Sequence, residues 1–275
     1  GRTPSLVLMD APPERMDVRP WLEIRDLLAA GGLRVPAVLA QDLDQGFLLL
    51  EDLGRETYLH AIDEDNADAL FEIAMARLVR LQSIRLPDRF PAYDQALLLR
   101  ELGLFDEWFL GVHLGIALDP AQRAQLQEVY RFLVEAALAQ PQVLVHRDYM
   151  PRNLMPCGDD VAILDFQDAV RGPIAYDPAS LFKDAFASWP EARVARWHAR
   201  YHELASQAGL PVPPLEQWRR DLDLIGAQRH LKVLGIFARL KHRDGKPKYI
   251  ADAPRFIAYL DQVLVKKFGA RYRRG

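Results

Sequence analysis

The sequence contains one cysteine, Cys157, among its 275 residues, so it can form neither an intramolecular disulfide nor a metal site with several cysteines. It has no apolar run of the ~18 residues that a membrane-spanning helix needs, and its start, GRTPSLVLMD, lacks the apolar segment of a signal peptide. The sequence therefore predicts a cytoplasmic protein with no membrane partner. Its 50% hydrophobic and 27% charged residues are typical of a globular fold.

Lysine is missing from the first 182 positions, and charge is unevenly distributed. Residues 1–182 carry 16 Lys and Arg against 29 Asp and Glu, a net charge of −13, whereas residues 183–275 carry 19 against 9, a net charge of +10. Parts of opposite charge attract each other and create different potentials at a cleft between them. The asymmetry is equally compatible with ordinary solvated surface. All seven lysines lie in the second part: Lys183, Lys232, Lys241, Lys246, Lys248, Lys266 and Lys267.

Apolar periodicity predicts two lobes of different character. Up to Gly54 the pattern indicates a strand, a helix and two strands, at 5–9, 18–30, 35–41 and 46–50. The remainder predicts helices around one β segment at 143–170, and these helices span 63–86, 95–112, 120–139, 178–187, 191–208, 215–242 and 254–268. Asp119 followed by Pro120 is typical of a capped helix start. We predict an α+β fold with a small N-terminal β-sheet lobe, residues 1–54, and a large mainly α-helical C-terminal lobe, residues 55–275.

A catalytic motif occupies the β segment, VLVHRDYMPRNLMPCGDDVAILDFQDAV from Val143. One apolar strand leads into His146-Arg147-Asp148, Asn153 follows Asp148 after four residues, and a second strand leads into Asp165-Phe166. Each residue alone is common in turns and caps, but their joint spacing matches the kinase catalytic loop and its metal motif. The motif therefore predicts phosphoryl transfer.

The residue types suit that chemistry, which requires positioning and charge neutralisation. Asp148 is predicted to orient the acceptor hydroxyl and accept its proton. Asn153 and Asp165 offer the hard oxygen ligands that Mg²⁺ prefers. Arg147 is predicted to form a structural salt bridge.

These residues resemble the aminoglycoside phosphotransferase and choline kinase superfamily of small-molecule kinases. The stretches at 165–190, 228–249 and 7–14 further resemble a branch of bacterial kinases that phosphorylate N-acetylmuramate and N-acetylglucosamine at C1 during peptidoglycan recycling. The resemblance implies a two-lobed protein-kinase-like fold, ATP and Mg²⁺ as cofactors, and an amino sugar as the small-molecule acceptor. The terminal basic stretch at 271–274 is too short to predict nucleic-acid binding, and no obligatory protein partner is expected.

The resemblance also implies roles for individual positions. Asp148 corresponds to the catalytic aspartate, and Asn153 and Asp165 to the metal ligands. His146 and Asp177 correspond to residues that support the catalytic loop. The segment LLLEDLG at 48–54 corresponds to the linker between lobes, where the Glu51 carbonyl and the Leu53 amide would bind adenine.

Two departures from the family pattern stand out. No lysine is available to hold the nucleotide phosphates before Lys183, so Glu23, its normal partner, is expected to pair with an arginine instead. No Gly-rich phosphate loop is present either, and the parts that a kinase needs imply that roughly 30–50 residues of the small lobe lie outside this sequence. A pseudokinase, a non-catalytic nucleotide-binding module, is the alternative. Met150, where protein kinases carry a lysine, argues against a protein substrate.

Candidate acceptor residues lie on one predicted helix near the C terminus. Arg229, Lys232 and Arg239, with the +10 charge after residue 182, suit an anion such as the lactyl carboxylate of N-acetylmuramate. The same residues, at spacings of three and seven, could equally line a solvated face. The neighbouring apolar residues Ile236, Phe237 and Leu240 are expected in the core. Another small-molecule kinase, acting on an antibiotic, choline or a different sugar, is a further alternative.

Overall fold

A three-stranded antiparallel sheet and one helix form the N-terminal part of the chain. The computed structural model describes residues 5–183 and 188–272. The sheet has the strand order β1-β3-β2, and each outer strand pairs antiparallel with β3. The elements of this part are β1 (Leu6–Asp10), α1 (Arg19–Ala30), β2 (Val38–Asp42) and β3 (Phe47–Glu51).

The small sheet has its own apolar cluster. Leu48 and Leu50 alternate along β3 and are buried, because successive side chains of a strand point to opposite faces. They pack with Ala11 and Val18, which precede α1. Helix α1 also connects this part to the rest of the chain, since its buried residues Ile24 and Leu28 belong to the large core. The boundary at residue 54 stays a prediction.

The rest of the chain is mainly helical. Its helices surround two short two-stranded antiparallel sheets, in which β4 pairs with β7 and β5 pairs with β6. The elements are α2 (Tyr58–Ala61), α3 (Ala67–Gln82), α4 (Gln95–Leu104), a π-helix (Phe105–His113), α5 (Pro120–Leu138), β4 (Gln142–Val145), a 3₁₀ turn (Pro151–Asn153), β5 (Leu154–Cys157), β6 (Asp160–Ile163), β7 (Val170–Pro173), α6 (Tyr176–Phe182), α7 (Glu191–Gln207), α8 (Leu215–His242), a second 3₁₀ turn (Pro247–Asp252) and α9 (Ala253–Tyr272).

Helix α8 is the centre of this lobe, and most of its residues are buried. It packs closely against the end of α4 at Gly235, where a Cβ would lie 2.4 Å from the backbone of Leu104. Only glycine permits that approach. The close packing holds α8 beside α4, which matters below because both helices contribute charged side chains to the site.

Several sequence predictions are confirmed by this arrangement. The α+β division is present, and α5 begins with a capping box in which Asp119 and Gln122 bond each other's backbone, with Pro120 in the first turn. The helix predicted at 95–112 is instead α4 followed by the π-helix, whose i→i+5 hydrogen bonds were not predicted from the sequence. The last four residues of the helix predicted at 178–187 lie outside the described residues. Within the described ranges, no helix is both long and apolar enough to cross a membrane.

Candidate active site

The catalytic loop follows β4 directly and is held by one buried carboxylate. Asp177, at the start of α6, accepts the backbone N–H of His146 at 2.7 Å and that of Arg147 at 3.0 Å, one on each oxygen. Arg147 has φ = 74°, a left-handed conformation that non-glycine residues rarely adopt. Burial raises the pKa of Asp177 to about 7, although the two N–H groups act to lower it. These contacts fix the backbone immediately before the next residue, Asp148.

His146 connects the catalytic loop to the segment that carries Asp165. Its Nε2 lies 2.9 Å from the carbonyl oxygen of Leu164, and its Nδ1 accepts the backbone N–H of Asp148 at 3.2 Å. These partners require the neutral tautomer with the proton on Nε2. Burial lowers the pKa of His146, which favours that neutral form. The ring therefore links the two loops through one hydrogen bond to each.

The structure brings Asn153 and Asp165 together beside the catalytic loop. Asn153 Nδ2 donates to the backbone oxygen of Asp148 at 2.9 Å and to a carboxylate oxygen of Asp165 at 3.3 Å. Asp165 is exposed at the end of its strand, and its φ of 62° is again left-handed. Strained backbone of this kind is common at functional sites. Phe166 behind it is buried against Trp21 of α1, with ring centroids 5.2 Å apart.

The donor atoms at this point fit a magnesium ion. A carboxylate and a neighbouring amide supply oxygens on two separate loops, and Mg²⁺ prefers a few such ligands completed by water and phosphate. The described residues contain no group of three or more His, Cys, Asp or Glu side chains suited to a metal. The site is thus unlike a zinc centre, which uses more protein ligands.

A cavity of about 290 Å³ opens next to Asp148. Pockets for small molecules begin at about 300 Å³, so its size suits one compact ligand. Its wall combines cations with apolar side chains, mostly from one face of α8. The lining residues are Asp148, Met150, Arg152, Tyr176, Arg229, Lys232, Val233, Ile236, Phe237, Leu240 and Tyr249.

The cations predicted on α8 have different surroundings. Arg229 and Lys232 line the cavity and are 3% and 7% exposed, so the alternative of a solvated face is wrong for both. Arg239 is partly buried and is not among the residues that line this cavity. Phe237 belongs to a buried core cluster, as expected, but together with Ile236 it also forms part of the cavity wall.

A buried carboxylate, Glu101 of α4, was not identified from the sequence. Arg147 forms an ion pair with it, Lys232 Nζ lies 3.0 Å from the same oxygen, and Tyr93 donates its hydroxyl to the other oxygen. Burial by itself raises the pKa of Glu101, but Lys232 and Arg147 together bring it below its ordinary value. The salt bridge predicted for Arg147 is confirmed. One feature of the sequence could have identified Glu101: it is an acidic residue next to Leu102, on the apolar face of a predicted helix.

The predicted linker residues lie at the end of β3. Both oxygens of the Glu51 side chain are bound by Arg34, which lowers the pKa of that carboxyl, so the side chain is not available to a ligand. The backbone roles of Glu51 and Leu53 toward adenine stay predictions. Glu23 is exposed and forms no ion pair with any described residue, so its expected pairing with an arginine is not found in the described ranges.

A sequence profile decides the family. The profile described as "Phosphotransferase enzyme family" matches residues 1–210. The chain belongs to this phosphotransferase family. As a family member it is an enzyme that transfers phosphate, and the His146–Asp165 segment lies within the match.

Curated relatives in this phosphotransferase family are named N-acetylmuramate/N-acetylglucosamine kinase. The protein of Pseudomonas putida is 52% identical over 268 residues, covering 97% of this chain and 79% of the relative. That of Neisseria meningitidis is 46% identical, covering 94% and 78%, and that of Caulobacter vibrioides is 34% identical, covering 85% and 67%.

Solved structures support the kinase-like, two-lobed fold predicted above. A Plasmodium vivax ethanolamine kinase aligns with a TM-score of 0.66 at 14% identity, covering 93% of this chain and 76% of that one. An ADP-bound aminoglycoside phosphotransferase aligns with a TM-score of 0.59 at 16% identity, covering 90% and 83%. At such identities the likeness concerns the fold alone.

Proposed function

We propose that this phosphotransferase moves the terminal phosphate of ATP to the anomeric hydroxyl of N-acetylmuramate and N-acetylglucosamine. The observation that carries the proposal is the cavity beside Asp148, because a catalytic aspartate, a magnesium-type donor pair and a ligand-sized space adjoin one another. The identity of 52% to the Pseudomonas putida kinase over 97% of this chain supports the acceptor.

Asp148 acts as the base in this proposal. Its carboxylate is half-buried at the edge of the cavity, where it can accept the proton of a bound hydroxyl as the oxygen attacks phosphorus. The backbone N–H that Asp148 donates to His146 fixes the loop from which the carboxylate projects. Asp148 would position the acceptor hydroxyl and form no covalent bond with it. Phosphoryl transfer needs mainly such positioning and charge stabilisation.

Asn153 and Asp165 would hold Mg²⁺, through the amide oxygen of one and the carboxylate of the other. A bound ion would supply positive charge that offsets the negative charge developing on the transferred phosphate. The exposed position of Asp165 supports this role, because a nucleotide and the water ligands of the ion need access from solvent. Adenine is assigned to the backbone at Glu51 and Leu53. A place in peptidoglycan recycling and a cytoplasmic location belong to the same proposal.

The acceptor occupies the cavity, whose wall suits an amino sugar. Apolar side chains such as Phe237 and Tyr249 offer surfaces for the faces of a sugar ring, and Arg229 and Lys232 offer cations for its polar substituents. A polycationic aminoglycoside would meet repulsion from these two buried cations. This repulsion favours the amino sugars over cationic antibiotics as acceptors.

The proposal is tested with the full-length protein, ATP, Mg²⁺ and a panel of amino sugars, choline and aminoglycosides, with ADP release as the assay. The expected product gives a phosphorus resonance coupled to the single C1 proton of N-acetylmuramate or N-acetylglucosamine. Release of ADP only with an aminoglycoside or choline would assign a different acceptor. Absence of both ADP release and calorimetric nucleotide binding would support the non-catalytic alternative.

A further inference from the structure

Helix α8 presents a buried guanidinium without a partner at the acceptor cavity. Arg229 lines the cavity together with Asp148 and is 3% exposed. Its Nη1 atom is buried and has no hydrogen bond. Across the described ranges, Arg229 forms no ion pair with any carboxylate.

Such a group is costly for the folded protein. Arginine stays charged at all ordinary pH values, and a buried charge without a counter-ion or hydrogen bonds is strongly destabilising. The neighbouring Lys232 illustrates the usual solution, since it lies 3.0 Å from Glu101 and donates to the Tyr176 hydroxyl at 3.2 Å. An anion bound in the cavity would provide Arg229 with an equivalent partner.

Asp177 is the acidic neighbour that would give Arg229 a purely structural role if the two side chains formed an ion pair. Its charge interacts with Arg229, but each of its oxygens accepts a backbone N–H from the catalytic loop, and the two side chains form no ion pair. Asp177 therefore leaves Nη1 of Arg229 without a hydrogen bond to any described residue. The residue that carries this unsatisfied donor lines the cavity in which the acceptor is placed.

The rest of that wall indicates how a sugar would lie. Val233, Ile236 and Phe237 follow Arg229 at spacings of four, seven and eight, so they share one face of α8 and form an apolar surface beside the cation. N-acetylmuramate differs from N-acetylglucosamine by one lactyl ether on O3, which ends in a carboxylate. A guanidinium matches the two oxygens of a carboxylate in one plane.

We propose that Arg229 is a specificity-determining residue that binds the lactyl carboxylate of N-acetylmuramate while Asp148 contacts the C1 hydroxyl. This inference rests on the proposed function and deepens it. N-acetylglucosamine fills the same cavity without engaging Arg229 in an ion pair. The residue thus sets the preference between two acceptors and leaves the phosphate-transfer step unchanged.

The test compares kcat/KM for the two sugars in wild type, Arg229→Gln, Arg229→Lys and the control Arg220→Gln, an exposed arginine on the same helix. Loss of one charge-assisted contact is expected to lower kcat/KM for N-acetylmuramate roughly 10- to 100-fold in Arg229→Gln. The value for N-acetylglucosamine should change less than about threefold by the same reasoning. Arg229→Lys should recover part of the loss, and Arg220→Gln should match wild type.

Equal losses with both sugars would overturn the inference, because they would assign Arg229 to the transferred phosphate or to the catalytic loop. Wild type that phosphorylates neither sugar would instead overturn the proposed function itself. If Arg229→Gln does not fold, wild type is assayed with N-acetylmuramate and its uncharged carboxamide. A preference for the acid of at least about tenfold supports the ion pair, and equal rates refute it.

Discussion

The ammonium nitrogen of Lys232 lies 3.0 Å from a carboxylate oxygen of Glu101, which joins α8 to α4 inside the C-terminal lobe. Arg147 of the catalytic loop binds the same oxygen. One buried carboxylate therefore holds both a wall of the acceptor cavity and the residue before Asp148. Because removal of one member of a buried ion pair leaves an uncompensated charge, the three residues depend strongly on one another.

Glu101→Gln should be among the most damaging single-atom changes in the chain. It leaves the buried Lys232 without its ion-pair partner and removes the closer of the two carboxylates paired with Arg147, so we expect the free energy of unfolding to fall by about 3–5 kcal/mol. Urea unfolding measures this loss. Glu128→Gln, which removes an exposed carboxylate paired with Arg131, should cost less than about 1 kcal/mol. Equal effects of the two substitutions would contradict the assigned network.

Asp148→Asn should abolish turnover while nucleotide binding persists. An amide cannot accept the proton of the acceptor hydroxyl, and loss of a general base lowers kcat by about 10²- to 10⁴-fold. Calorimetry with ATP and Mg²⁺ should give a dissociation constant close to that of wild type. Activity near the wild-type level in this variant would refute the role of Asp148.

Asp165→Ala should weaken nucleotide binding only when magnesium is present. Loss of a charged oxygen ligand is expected to raise the dissociation constant of the nucleotide at least about tenfold with Mg²⁺. When a chelator removes Mg²⁺, wild type and Asp165→Ala should bind the nucleotide with the same dissociation constant. The exposed turn residue Asp159 provides the matched control, and Asp159→Ala should bind nucleotide as wild type does.

Asp177→Asn should loosen the catalytic loop. A side-chain amide has one acceptor oxygen, so one of the backbone N–H groups of His146 and Arg147 would face an NH₂ group instead. We expect a loss of stability of about 1–3 kcal/mol from the unsatisfied donor, together with a lower kcat. Hydrogen exchange at these two amides should become faster. Unchanged protection would contradict the proposal that Asp177 holds the catalytic loop.

His230 should make the protein sensitive to acid. Burial places its folded-state pKa well below its ordinary value of 6.5, so below that pH the unfolded chain binds a proton that the folded chain does not. This contribution to stability is complete above pH 6.5 and declines by up to about 1.4 kcal/mol per pH unit as the pH falls toward the folded-state pKa.

Urea unfolding of wild type and His230→Leu between pH 5 and 8 measures the contribution of this histidine. The stability difference between the two proteins isolates it, because groups such as Asp177 titrate in both. Wild type should lose stability relative to the variant as the pH falls below about 6.5. Parallel curves over the whole range would show that His230 takes up a proton in the folded state as easily as in the unfolded chain.

The catalytic segment could be predicted because its parts are close in sequence. Asp148, Asn153 and Asp165 fall within one stretch of strands and turns, and short-range pairing of β5 with β6 is enough to bring them together. The capped start of α5 was predictable for the same reason, since Asp119 and Gln122 are three residues apart. Local spacing carries the geometry in both cases.

The acceptor cavity and its charge network depended on the tertiary structure. Helical spacing could not decide whether Arg229 and Lys232 face solvent or a cavity, and the pairing of Glu101 with Arg147 joins residues 46 positions apart. The sequence by itself determined the local arrangement of the loop around Asp148, since neighbouring residues can adopt few arrangements. Which distant charges meet beside the cavity was decided only when α4 and α8 packed together at Gly235, because this packing places Lys232 against Glu101 and leaves Nη1 of Arg229 without a hydrogen bond among the described residues.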